Sequence, residues 1–196
     1  MEKQALSTVD YKGFTIKTYI DEDNFNPRKE YDNLGVIYSN GRTFNPDGKG
    51  IEELINAAGV DADEVDVVPW AAISKKFIYQ KIWIYDHSAI ALKTGETNPF
   101  SCPWDSGLAG VIAVTKEQVR KAWNCKRLSK KVIESVQKTL ENEVEELEHY
   151  FNGEIYRFKV IDKNGEVWDE CGNFLEEDAA IEDAKSCIDY NEKLAQ

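Results

Sequence analysis

Residues 108–115, LAGVIAVT, carry apolar or small side chains on both faces of an extended strand. A strand of this kind sits in the middle of a sheet with both faces covered. The chain supplies a cover. From Ser129 onward, Val132, Ile133, Val136, Leu140, Val144 and Leu147 recur at three- and four-residue spacing. That is the stripe of an amphipathic helix of about five turns, closed by Gly153. A second helix is predicted near the end, opened by Asn173 with Glu176 and carrying Ala180, Ile181, Ala184, Ile188 and Leu194 on one side.

The remaining segments read as strands, turns and short helices. Residues 11–20 alternate as a first strand, residues 21–33 form an Asn/Asp/Pro loop, and residues 34–39 form a short apolar strand. Asn40-Gly41 and Asp47-Gly48 mark turns. IEELINAA (51–58) predicts a helix capped by Gly59. Residues 60–76 fit a short strand or a helical turn. Residues 77–85 form an aromatic, β-branched strand, and residues 89–93 continue it or form a second strand beyond Asp86–Ser88. Thr115 with Gln118 is a capping box for KEQVRKAW. Lys163-Asn164-Gly165 joins a hairpin. Hairpins outnumber βαβ units, which predicts an α+β fold: a mostly antiparallel sheet with the long helix and a C-terminal helix packed on it, as a single domain over 1–196.

Composition removes several function classes. The 196 residues carry 36 acidic and 24 basic side chains, a net charge of −12. That balance opposes a direct grip on nucleic acid, which depends on Lys and Arg displacing counterions. The exception is 116–131, where Lys116, Arg120, Lys121, Lys126, Arg127, Lys130 and Lys131 face one Glu117. Cys102, Cys125, Cys171 and Cys187 have no CxxC spacing and only His87 and His149 for company, so neither a metal nor a cofactor is expected. Asp21, Glu22 and Asp23 lack the EF-hand spacing and read as a solvated loop. No apolar run approaches the roughly 20 residues of a membrane span, and the first residues carry no apolar signal region. A cytoplasmic, membrane-independent protein is the expectation.

Chemistry-bearing residues concentrate in 83–107, WIYDHSAIALKTGETNPFSCPWDSG. Cys102 as nucleophile, His87 as base and Asp105 or Asp86 as orienting carboxylate would make a hydrolase or transferase. Pro103 and Gly107 bracket the same residues, which equally suits a turn with Cys102 and Trp104 packed inward, or a loop presented to a partner. In NPRKEYDNLG (26–35), Asn26, Arg28, Asp32 and Asn33 could recognise a phosphate or a polar partner. Alternatively, Arg28 pairs with Asp32 or a nearby carboxylate while the Asn side chains build turns. On the long helix, Glu141, Glu145 and Glu148 lie one turn apart with Glu143 and Glu146 beside them. Carboxylates about 6 Å apart mimic the phosphate spacing of a nucleic acid strand, although most such faces are simply solvated.

The segments 26–35 and 85–112 (YDHSAIAL…PFSCPWDSGLAGVI) resemble a family of small acidic proteins encoded by phages and mobile elements of Firmicutes. That family has similar Asn-Pro-Arg, Asp-Asn-Leu-Gly, Tyr-x-His-Ser and Phe-Ser-Cys-Pro-Trp-Asp-Ser-Gly segments. Ala89 stands where the family pattern has Gly. The resemblance implies a setting in which host defences are blocked. Some type II anti-CRISPR proteins, which inhibit the RNA-guided nuclease Cas9, are similar in size, charge and origin. The expectation is a non-enzymatic inhibitor of a basic, nucleic-acid-binding host protein such as Cas9, with or without guide RNA. Partner contacts would come from Asn26, Arg28, Asp32, Asn33, Asp86, His87, Trp104, Asp105, Glu141, Glu145 and Glu148. The alternatives are the Cys102/His87 enzyme and an accessory interaction module contacting its partner through 116–131.

Overall fold

The computed structural model describes residues 4–23, 25–41 and 43–194; within the last helix the side chains of Glu192 and Leu194 lie outside the description. In chain order the elements are β1 (Thr8–Tyr11), β2 (Phe14–Ile20), α1 (Pro27–Glu30), β3 (Val36–Ser39), β4 (Lys49–Gly50) and α2 (Ile51–Ala58). A 3-10 turn (Ala62–Glu64), α3 (Trp70–Lys76), β5 (Phe77–Asp86), β6 (Ile90–Thr94), β7 (Ser106–Thr115) and α4 (Lys116–Ala122) follow. The last are α5 (Lys130–Asn152), β8 (Tyr156–Ile161), β9 (Val167–Phe174) and α6 (Glu177–Leu194). The fold is α+β, with its strands in two sheets rather than one. The chain divides into two compact units, one of residues 27–148 and one of residues 1–26 with 149–196.

In the unit of residues 27–148 the sheet order is β4-β3-β7-β5-β6, which makes β7 the central strand. Every pairing is antiparallel except the two-residue β3–β4 contact. Both faces of β7 are buried, for the reason its composition gave. Val111 and Ala113 pack with Leu54, Ile55, Ile73 and Phe77 beneath α2 and α3. Ile112 faces the other way, toward Leu140 of α5, with Gly35 between them. A side chain at Gly35 would meet Ile112 and Leu140 at 2.6 Å, so only glycine allows the helix this close. Val136, Leu140, Val144 and Leu147 are buried along α5, each contributing about 1.5–3 kcal/mol. Residues 89–93 are the return strand of a β5–β6 hairpin, and residues 60–76 supply the 3-10 turn and α3.

The other unit has the sheet order β1-β2-β8-β9, entirely antiparallel. Ala180, Ala184 and Ile188 of α6 pack on Ile16, Phe158 and Val160. The single strand expected over 11–20 is a hairpin. Lys12 (φ 49°) and Gly13 (φ 82°) take the left-handed conformations of a tight two-residue turn, which reverses the chain between β1 and β2. Asp21 departs from the solvated-loop expectation: it is buried and accepts from the Asn173 amide at 3.0 Å. Asn173 (φ 63°) lies inside β9, and α6 starts only at Glu177. Asn173 is therefore too early in the chain to cap α6, and its side-chain oxygen accepts from the Phe25 amide at 3.4 Å instead.

Candidate functional site

The loop from β6 back to β7 is built by its own polar groups. Asn98 accepts from the Phe100 amide at 3.0 Å and donates to Ser106 Oγ at 3.0 Å. Ser106 Oγ in turn donates to the Cys102 carbonyl at 2.5 Å. The Asp86 amide donates to the Asp105 carbonyl at 2.9 Å, tying the end of β5 to the loop. Tyr85 packs its ring 5.7 Å from that of Phe100. A register shift follows Ile82 in the β5–β7 ladder and leaves Ala109 without a cross-strand partner on β5. Such a bulge re-aims the strand end that follows it.

The hydroxyls and amides of FSCPWDSG thus hold a closed turn, and Trp104 stands at its tip, 92 % exposed. Beside it lies a groove of about 370 Å³, with Phe44, Ile84 and Leu108 among its apolar walls and Asp86 and Asp105 at its rim. The expectation that Trp104 packs inward is corrected: Pro103-Trp104-Asp105 is a surface turn that carries the indole into solvent.

Cys102, Asp105 and His87 do converge. Cys102 Sγ donates to Asp105 Oδ2 at 3.2 Å, and His87 Nδ1 lies 3.7 Å from the same oxygen. The order differs from that of a thiol nucleophile. The carboxylate, not the imidazole, takes the thiol's hydrogen bond, whereas thiolate formation calls for a base or positive charge at sulfur. His87 is 67 % exposed at its side chain and Asp86 is exposed. The arrangement presents a rim of two carboxylates, an imidazole and an indole to an incoming surface.

The 26–35 segment has a different role. The Arg28 side chain is 2 % exposed, and each of its five N–H donors is engaged. Nε and Nη2 grip Asp47 at 2.8 and 2.7 Å, Nη1 donates to Asn33 Oδ1 and Glu143 Oε2 at 2.8 and 2.9 Å, and Nη2 also reaches the Gly35 carbonyl at 2.7 Å. Glu143 accepts from the Leu34 amide at 2.6 Å and from the Gly35 amide, and Asp47 accepts from the Ile37 amide at 2.7 Å. Asn33 Nδ2 closes the loop on the Pro27 and Tyr31 carbonyls. Arg28 and Asn33 therefore face inward, joining this loop to β3 and α5. Asp32 is exposed, and Asn26 is half-buried. The expected pairing with Asp32 or a nearby carboxylate is corrected: Arg28 pairs with Asp47 and Glu143, 19 and 115 residues away, because the loop folds onto β3 and α5.

The acidic stripe of α5 is also partly absorbed. Glu143 is buried with Arg28. Glu148 accepts from the Leu92 amide on the open edge of β6 and lies 4.0 Å from Lys93. Glu141 pairs with Lys138 at 3.1 Å, and Glu145 is exposed with no partner among the described residues. Burial, then the neighbouring Glu143 charge, hold the Glu146 carboxyl above its ordinary range, with Arg28 opposing. Two exposed carboxylates remain where the stripe suggested three, because Glu148 serves the sheet edge.

Among the described residues no group of three or more His, Cys, Asp or Glu side chains is placed to hold a metal ion, and no helix is long and apolar enough to cross a membrane. Comparison of the chain with family models, curated proteins and solved structures finds no match in any of the three.

Proposed function

We propose that this chain is a non-enzymatic inhibitor that docks on a basic, nucleic-acid-handling protein in the host cytoplasm, the RNA-guided nuclease Cas9 being the partner the motif resemblance implies. The observation that carries the binding reading is Trp104: a large indole, 92 % exposed, on a turn fixed by side-chain hydrogen bonds and flanked by Asp86 and Asp105. An exposed Trp gives nothing to folding, whereas burying it in an interface removes about 150–250 Å² from water. Trp and Arg dominate interface energetics, and a Trp beside carboxylates suits an Arg or Lys side chain through its ring face and the adjacent negative charge. Asp32, Glu141 and Glu145 are further exposed carboxylates. The net charge of −12 speeds encounter with a positive nucleic-acid channel.

The test is capture of purified Cas9, with and without guide RNA, together with DNA cleavage at low and high salt. The reading expects stoichiometric binding, lost cleavage and salt-weakened affinity, with Trp104→Ala lowering affinity about 30-fold (about 2 kcal/mol). An affinity indifferent to salt and to Trp104→Ala would refute it. The enzymatic alternative rests on Cys102, Asp105 and His87 lying together, with the thiol on the carboxylate rather than on the imidazole; it expects Cys102→Ala to abolish inhibition and one chain to inactivate many nucleases. The docking reading expects Cys102→Ala to inhibit as the parent does.

A further inference from the structure

The sheet delivers two separate basic stretches to one place. Phe77 pairs with Thr115 at the end of the β5–β7 ladder, so Lys75 and Lys76 run into the sheet where Lys116 leaves it. Lys116 Nζ donates to the Ser74 carbonyl at 2.6 Å, fixing the end of α3 to the start of α4. Val119, fully buried, anchors α4. The turn after it, with Asn124 at φ 45° and the Cys125 amide on the Arg120 carbonyl at 2.9 Å, carries the chain on to the basic start of α5.

Along this path Arg120, Lys121, Lys126, Arg127 and Lys131 are exposed, and none has an ion-pair partner among the described residues. Lys76 and Lys116 spend hydrogen bonds on neutral carbonyls, of Ala57 and Ser74. In a chain with 36 acidic residues, a strip of unpaired cations is the exception. Like charges within a Debye length of about 8 Å repel, so the strip is relieved by an anion from outside.

We propose that α3's end, α4 and the segment to Lys131 form a binding surface for the phosphate backbone of a nucleic acid. Among the described residues, none of the large exposed apolar side chains, Phe25, Val67, Trp104 and Val167 among them, falls in 70–76 or 116–131. A protein interface needs such a buried apolar centre, and a backbone grip needs only spaced cations. Arg120 and Arg127 offer planar forks for phosphate oxygens. The surface reads charge and not sequence, and it is distinct from the Trp104 groove.

The test is fluorescence anisotropy of the full chain with a labelled 20-nucleotide DNA, single-stranded and duplex, between 50 and 200 mM salt. Contact with about five phosphates gives a log–log salt slope near −4.5 on duplex, roughly a 500-fold loss over that range. Arg120→Glu/Arg127→Glu is expected to weaken binding at least tenfold and flatten the slope by about two. Lys29→Glu/Lys163→Glu changes the net charge equally, at exposed sites elsewhere, and is expected to leave the slope in place. Equal losses in both variants, or no binding at 50 mM salt, would overturn the proposal. So would salt-sensitive self-association abolished by Arg120→Glu/Arg127→Glu without any DNA binding, which would assign the strip to a second copy. Thermal melts of both variants establish that each is folded.

Discussion

Replacing Arg28 with Ala separates an architectural role from a recognition role. In the parent, one guanidinium is shared between Asp47 and Glu143, whose side chains are 12 % and 9 % exposed. Both carboxylates also hold backbone amides, of Ile37 and of Leu34 and Gly35, so they cannot swing to solvent without releasing β3. Removing one partner of a buried ion pair costs about 3–5 kcal/mol, because the charge left behind is uncompensated. Asp47 loses two charge-assisted bonds and Glu143 one, which places Arg28→Ala toward the upper end. For a cooperative unit the size of residues 27–148, about 4 °C per kcal/mol converts this to a fall of roughly 12–20 °C in Tm. Arg28→Lys keeps the charge but not the five-donor fork, and is expected to lose about half as much. Circular-dichroism melts with urea titration measure both. A fall of less than about 3 °C for Arg28→Ala, combined with lost partner capture, would refute the buried-hub reasoning and return Arg28 to the surface.

Two other predictions bear on the same unit. Gly110→Ala would place Cβ 2.4 Å from the Tyr38 carbonyl of the neighbouring strand, a backbone atom that cannot yield, and is expected to cost about 1–3 kcal/mol. Gly107→Ala, with nothing within 4 Å, is expected to change stability by less than about 0.5 kcal/mol in the same urea titration. Glu146→Gln tests the burial of its carboxyl. A folded-state pKa above the unfolded value means the native state holds the proton more tightly, so ionisation destabilises the fold as pH rises through and above the carboxylate range. Glu146→Gln is therefore expected to melt higher than the parent at pH 7, with the difference closing at about pH 4 and below, where both states of the parent bind the proton. A Tm difference independent of pH would count against that cause.

Much of the fold was legible because the signals were local. The stripe on α5, the Thr115–Gln118 capping box and the left-handed Gly59 are each complete within one or two turns of chain, and each stands where its pattern placed it. The Lys12-Gly13 hairpin was missed because Lys is not a residue that announces a left-handed turn; the β1–β2 pairing imposes φ 49° on it. Glu143 was read with the acidic face since helical periodicity counts a carboxylate as polar, and only a guanidinium arriving from α1 makes burial favourable.

In the candidate site, sequence alone determined that FSCPWDSG turns and that hydroxyls, thiol and carboxylate crowd there, since turn chemistry acts over a few residues. Whether Trp104 points in or out was not decided by turn chemistry; the turn carries the indole outward, where it is 92 % exposed. Cys102 meets Asp105 within one turn, three residues away, whereas the approach of His87 to Asp105 depended on the β5–β7 register, which brings Asp86 beside Asp105 across the sheet end. The meeting of Lys75 and Lys76 with Lys116 likewise follows from the Phe77–Thr115 pairing. The His87–Asp105 and Lys76–Lys116 approaches are long-range, their partners chosen by strand register, which is not written in any short stretch of the chain.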